Sequence, residues 1–567
     1  MTYDLVIRNG TIVDGSGRPR YRADIGVTGD RIATIGRIAA RGRTEVDAAG
    51  RAVAPGFIEV HSHMDAQVFW DPLGTSPVWH GVTTTIMGNC GFTLAPCREA
   101  EKDLCLRSLE RAEDMPREAL LAGIKWSWES YAEYLDAVDK LPKGINYAGL
   151  VGHSAIRTYV MGERAFSEAA TDADKAAMAR EVEAALRAGA LGFSTSRSRH
   201  FTSDGRPVAS RLAQWDEVCH LVDVMRRLDT GIFEITPDNW GNPEERARMQ
   251  ESLYQLAIAS GRPMTFILLQ FGMQGNAWRE MMQLSERIGA DGGRMMMQVI
   301  ARYFTSVIGF RTHLPFDVLP TWAKVRAGSF EEQRRAFSDP GLRRKLVDEA
   351  LHGSYATEFT GPSAQAPDYE RLMVLDRDTP PFVTVAELAR QRGTTPVDVM
   401  IDIALETDFH RFFVQPMGNF DLDDVLTMMR HPHSIFGGTD SGAHVSQLLD
   451  ASMPSFILAY WVRERGIYTL EEAVRKMTFE PALTWGIPER GLVAPGMIAD
   501  LVVFDPDTVS PGMPLAAHDL PAGALRLVQK GVGLAATVVS GQVVMRDNEP
   551  TGALPGRLLR GPLAARQ

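Results

Sequence analysis

From about residue 54 onward, short apolar runs alternate with helical stretches, and this exchange limits the chain to few architectures. The apolar runs are Gly56–His61, Thr83–Met87, Asn146–Val151, Leu191–Thr195, Gly231–Ile235, Met264–Leu269, Met295–Ile300 and Ser434–Gly437. Helical periodicity fills much of the space between them, as in Asp172–Gly189 and Pro243–Ser260. A strand followed by a crossover helix pairs parallel to the next strand, and eight such units can close on themselves. The fold class predicted is α/β, a (β/α)8 TIM-type barrel over residues 54–480.

Both ends have a different character. Asp4-Leu-Val-Ile-Arg-Asn-Gly-Thr-Ile-Val-Asp14 places two apolar runs across an Asn-Gly turn, a hairpin signal. The tail returns to short strands at Ala499–Asp505 and Ala535–Val544. Residues 1–53 and 481–567 are therefore expected to form one small discontinuous β-sandwich domain. Two intervals, about 97–145 and 301–430, are long for barrel connections. They are either lids that shape a substrate pocket or a separate subdomain.

A net charge of −11 and a pI near 5.7 exclude nucleic acid and anionic membrane as default partners. The four cysteines are irregularly spaced, without a Cys-x-x-Cys pair, which fits reduced thiols rather than a disulfide framework. The N-terminal segment lacks the pattern of a signal peptide, and no apolar run has transmembrane length. The expected compartment is the cytoplasm, the expected partner is a small molecule, and a homo-oligomer is left open.

The chemistry gathers where the apolar runs end. His61 and His63 close the first run, and residues i and i+2 of a strand point to the same side. Two imidazoles on one side are the start of a metal site. Cys90, in Gly88-Asn-Cys-Gly91, sits where the second run gives way to a loop. It is a soft metal ligand, a nucleophile or a buried packing residue. Asp440 ends the last run in Gly437-Gly-Thr-Asp-Ser-Gly-Ala-His444, and is either a metal ligand and proton acceptor or a helix cap. His153 and Arg157 follow the third run, and Arg197, Arg199 and His200 follow the fourth. An arginine fork matches a substrate carboxylate, although such residues also pair locally.

Together these segments resemble the amidohydrolase superfamily, and within it the D-aminoacylase (N-acyl-D-amino-acid deacylase) branch. The resemblance runs from Asp4–Gly15 through Pro55-Gly-Phe-Ile-Glu-Val-His-Ser-His63, Gly88-Asn-Cys-Gly91, Gly152-His153 and Gly189-Ala-Leu-Gly-Phe-Ser-Thr195. It closes with Arg490-Gly-Leu-Val-Ala-Pro-Gly-Met-Ile-Ala-Asp-Leu-Val-Val-Phe504. It implies a zinc-dependent hydrolase acting on a small-molecule amide, an N-acyl amino acid. It also implies His61, His63, Cys90 and Asp440 as metal ligands, with Asp440 as the general base. A cyclic amide or ester substrate, or a non-catalytic binding relative, are the alternatives. The chain departs from the branch on strands five and six, where the usual histidines are missing. Glu234 is expected to supply an oxygen ligand there and Gln270 to contact substrate. Gln298, Arg302 and His444, with His153, Arg157, Arg197 and His200, are expected to line the substrate pocket. With those histidines gone, one zinc ion is expected rather than two.

Overall fold

The computed structural model describes residues 2–238, 242–272, 275–355 and 365–564. Eight parallel strands form the centre: β1 (Phe57–Glu59), β2 (Val82–Met87), β3 (Asn146–Gly152), β4 (Gly192–Ser196), β5 (Ile232–Thr236), β6 (Met264–Leu268), β7 (Met295–Val299) and β8 (Ser434–Phe436). They pair in sequence order across one sheet from β1 to β8. Each of the eight apolar runs is therefore a strand of the expected barrel. The strands read as near-continuous apolar or β-branched runs because helices cover the outside while side chains fill the inside.

The sheet is nearly closed. Between β1 and β8 a single parallel bridge, Ser62 to Ser441, stands in place of a ladder. His63 N–H donates to Ser441 O at 2.7 Å, and the Thr439 hydroxyl donates to His61 O at 3.0 Å. The buried Glu59 carboxylate ties the seam from below, accepting from the Thr85 hydroxyl at 2.8 Å and from the hydroxyls of Thr439 and Ser441. This seam brings the ends of the first and last strands together, and with them His61, His63 and Asp440.

The two ends of the chain build one nine-stranded mixed sheet. Ala52–Pro55 pairs parallel with Tyr3–Ile12 and antiparallel with Leu501–Phe504, so the chain enters β1 directly from this sheet. The 301–430 interval lies between β7 and β8. It carries a three-stranded antiparallel sheet, Phe304–Gly309, Met373–Leu375 and Phe412–Gly418, packed against helices. Phe310, Phe316, Trp322, Phe337 and Phe409 form its own apolar core. The 97–145 interval is helical, with Lys102–Ala112, Arg117–Gly123 and Tyr131–Lys140. Among the described residues no helix is long and apolar enough to cross a membrane.

Candidate metal centre

Donor atoms of His61, His63 and Cys90 lie within 4.8 Å of one another at the C-terminal mouth of the barrel, and all three residues are buried. Cys90 Sγ is 3.3 Å from His61 Nε2. Asp440 Oδ1 is 3.2 Å from His61 Nε2 and 3.6 Å from His63 Nε2. Two strand ends and one loop thus deliver two imidazoles, a thiol and a carboxylate to one point.

The backbone is shaped for this. Cys90 has φ 54° and Asp440 has φ 50°, left-handed values that non-glycine residues adopt rarely and mostly where surrounding structure enforces them. Gly88, ahead of Cys90, has φ 81°, and a Cβ there would meet Leu150 O at 2.4 Å. Gly442, after Asp440, has φ 90°, and a Cβ there would meet His63 O at 2.6 Å. Each glycine lets a ligand loop pack directly against the neighbouring strand end.

Partners behind the cluster orient it. Gln298 Oε1 lies 2.7 Å from His61 Nδ1, and its Nε2 donates to Thr265 Oγ1 at 3.1 Å. An acceptor at Nδ1 puts the His61 proton there and leaves Nε2 as a lone pair facing Cys90 and Asp440. The Thr236 hydroxyl donates to Cys90 Sγ at 3.2 Å, and Glu234 accepts from Cys90 N–H at 2.8 Å.

Glu113 carries no local motif, and sequence reasoning missed it. It follows the first helix of the 97–145 interval and is buried. Its Oε2 lies 3.3 Å from His63 Nε2 and 3.9 Å from His444 Nε2, while its carbonyl accepts from His444 N–H at 2.6 Å. Only the fold brings this helix end to the barrel mouth.

The electrostatics call for a cation. Burial raises the Cys90 thiol and the Glu113 carboxyl well above their usual ranges, and neighbouring carboxylates push both further. Burial also pushes Glu234 up to about 7. It would do the same to Asp440, but His61 and His63 beside it hold that carboxyl well below the usual range. Burial brings His63 down to about 4. Both ring nitrogens of His63, with Asp440 Oδ1 and Glu234 Oε1, are buried without a hydrogen-bond partner. Among the described residues no lysine or arginine pairs with Cys90, Glu113, Glu234 or Asp440. A divalent cation would satisfy these lone pairs and draw the thiol and the carboxyls into their ionised, ligating forms, so the donor set fits a metal.

The remaining expected residues divide into two groups. His200 belongs to the mouth. Its ring packs on Phe92 with centroids 5.5 Å apart. Burial, then the nearby His444 and His63, bring it down to about 3. Arg197 stands beside the mouth, its backbone N–H donating to Thr236 O at 2.8 Å.

Five expected pocket residues have partners within the protein. His153 Nε2 and Arg157 Nε lie 2.9 and 3.0 Å from Glu217 Oε1, and His153 Nδ1 lies 2.8 Å from Thr195 Oγ1. Thr195 faces away from Ser194, whose hydroxyl reaches inward to Gly88 O. His153 and Arg157 therefore sit on the helix side of β4. Gln298 stands behind His61 rather than lining a pocket. Gln270 donates to Asp424 Oδ2 at 2.7 Å, tying β6 to the helix that leads into β8. Arg302 is buried, donates to Ser452 Oγ at 3.0 Å, and stacks over Phe456. These side chains are occupied by structural partners, which sequence position alone does not reveal.

Comparison with known proteins agrees with this geometry. Residues 44–545 match the model of the amidohydrolase family, and the chain belongs to that family. An uncharacterized protein of Mycobacterium tuberculosis is 30% identical, covering 97% of this chain and 93% of its own length. A D-aminoacylase of Alcaligenes xylosoxydans xylosoxydans is 29% identical, covering 98% and 97%. Among solved structures, an N-acyl-D-glutamate deacylase from Bordetella bronchiseptica, complexed with zinc and a phosphonate inhibitor, aligns with a TM-score of 0.66. It is 25% identical and covers 99% of this chain and all of that one.

Proposed function

We propose that this member of the amidohydrolase family is a zinc-dependent hydrolase that cleaves the linear amide of an N-acyl amino acid. The observation that carries the reading is the convergence of His61, His63 and Cys90 with Asp440 at the barrel mouth. The D-aminoacylase relative supports the substrate class. One zinc ion on these four residues, with Glu234 beside it, is the loading proposed.

A zinc ion held there supplies a Lewis acid for the amide carbonyl and acidifies a water. Asp440 accepts the proton of the attacking water and returns it to the leaving nitrogen. The positive charge of a zinc ion beside it would keep Asp440 ionised, as a proton acceptor must be. Gln298 holds His61 in the tautomer that presents Nε2. His200, kept neutral by burial, has an N–H to offer the substrate, and His444 stands at the rim.

The test is metal analysis with turnover on a panel of N-acetyl D- and L-amino acids. We expect about one zinc per chain, loss of activity on chelation, and recovery on adding zinc back. A chain expressed with ample metal that holds none defeats the enzyme reading. Turnover of lactams or esters but no N-acyl amino acid defeats the substrate class.

A further inference from the structure

Beside the metal centre, at the ends of β4 and β5, a cavity of about 470 Å³ opens to solvent. Its size falls in the range of small-molecule sites. Its wall carries four guanidinium groups, Arg197, Arg199, Arg211 and Arg248, against two carboxylates, Asp238 and Glu245. Glu245 is already engaged, because its Oε2 accepts from Asn242 N–H at 3.0 Å in a helix capping box. In a protein whose net charge is −11, this is a locally positive hollow.

The arginines are placed there at a cost. Arg197 donates to the carbonyls of Ala213 and, at 3.3 Å, Ser210. Arg211 donates to His200 O at 3.1 Å and stacks over Phe201. Among the described residues neither these two nor Arg248 forms an ion pair with a carboxylate. Burial lowers both Arg197 and Arg211; Asp238 offsets part of this, and a neighbouring arginine lowers each further. Asp238 does not match all four guanidinium groups of this partly desolvated wall, and a further anion would relieve the repulsion among them. Trp215 and Met249 add apolar wall, as a site for the carbon chain of a ligand requires.

Two contacts join this hollow to the reaction centre. Arg211 holds the carbonyl of His200, whose ring lies near His63 and His444. The Arg197 backbone holds Thr236, whose hydroxyl reaches Cys90. Both contacts set the hollow against the elements that carry the mouth.

We infer that the Arg197–Arg199–Arg211–Arg248 cavity is a subsite for a distal carboxylate, which selects N-acyl amino acids with an acidic side chain. This rests on the amide-hydrolase reading above. Guanidinium forks match carboxylates in shape and charge, and the wall carries four arginines to two carboxylates, an excess that one α-carboxylate does not match.

The experiment compares N-acetylglutamate with N-acetylglutamine, both enantiomers of each, in the zinc-loaded wild type and in Arg248→Gln and Arg211→Gln. Arg248 is exposed, so its variant keeps the test open if Arg211→Gln folds poorly. The wild type should favour the acidic substrate about tenfold or more in kcat/KM, expressed mainly in KM. Each variant should bring that ratio toward one, and added salt should lower it in the wild type. Equal use of both substrates by the wild type, or an undiminished ratio in both variants, overturns the assignment. A calorimetric titration with glutarate, using glutaramide as the neutral control, separates this proposal from the one it rests on. If no N-acyl amino acid is hydrolysed, the amide-hydrolase reading falls. Glutarate binding that weakens in the variants would still uphold a carboxylate site, and no glutarate binding would overturn it.

Discussion

Two buried clusters in this protein combine histidine with carboxylate, and they differ in what is left over. On the helix side of β4, Glu217 Oε1 takes both His153 Nε2 and Arg157 Nε, and Thr195 takes the other His153 nitrogen. An arginine balances the acid, and the histidine has no free lone pair. At the barrel mouth no arginine or lysine pairs with the acids among the described residues, and both His63 nitrogens are without a partner. The first arrangement is balanced in charge, although Glu217 Oε2 is buried without a hydrogen-bond partner. The second is incomplete until something positively charged arrives. Burial of charged residues therefore does not distinguish function from architecture, whereas several converging donors with no arginine or lysine among them do.

The contrast can be broken in four ways, in decreasing order of expected effect. Asp440→Asn should cost about 10³-fold or more in kcat, because the proton acceptor is lost, while circular dichroism stays native. Activity within a few-fold of wild type would remove Asp440 from the chemistry. Glu217→Ala should cost about 3–5 kcal/mol of stability, because it strands the Arg157 charge in the interior. Its metal content, measured after purification at low temperature, should remain that of wild type. A metal-depleted but thermally normal Glu217→Ala protein would reverse the two roles. Gln298→Leu should weaken metal binding by about 10- to 100-fold by freeing the His61 ring. Chelator competition measures this, and an unaltered affinity would make Gln298 a packing residue only.

The smallest effect is acid sensitivity. Burial holds His153 below its ordinary range, and His153 and Arg157 outweigh burial to hold Glu217 below its own. Both groups bind protons more readily when unfolded, so their contribution to stability is lost as pH falls. The loss begins as pH falls through the ordinary histidine range and deepens through the carboxylate range. Wild type should lose more Tm than His153→Gln on going from about pH 7 to about pH 5. Parallel Tm curves for the two proteins would contradict this.

The barrel was legible in the chain because each strand is an apolar run ending in a residue the core cannot absorb. His61 and His63 were legible because a period of two fixes their common side. That His153 and Arg157 pair with Glu217 is not legible for a related reason. They lie beyond the strand, in the helix His153–Met161, where period two no longer applies and the helix turns them outward. Glu113 was out of reach because no local pattern distinguishes an acid at the end of one helix from any other. Its role depends on where the 97–145 helices settle. Arg211 and Arg248 stand on separate elements and share a cavity only through packing.

The seam between β1 and β8 has a consequence for how this protein is made. Thr439 and His61, which join hands across it, are 378 residues apart in the chain. Nearly all of the barrel must be synthesised before the two meet, and the entropy of closing so long a loop must be met by whatever forms there. The centre that unites His61, His63 and Asp440 cannot assemble on a partial chain. Uptake of the ion is thereby tied to completion of the barrel, and a truncated or misregistered copy is left without the means of holding it.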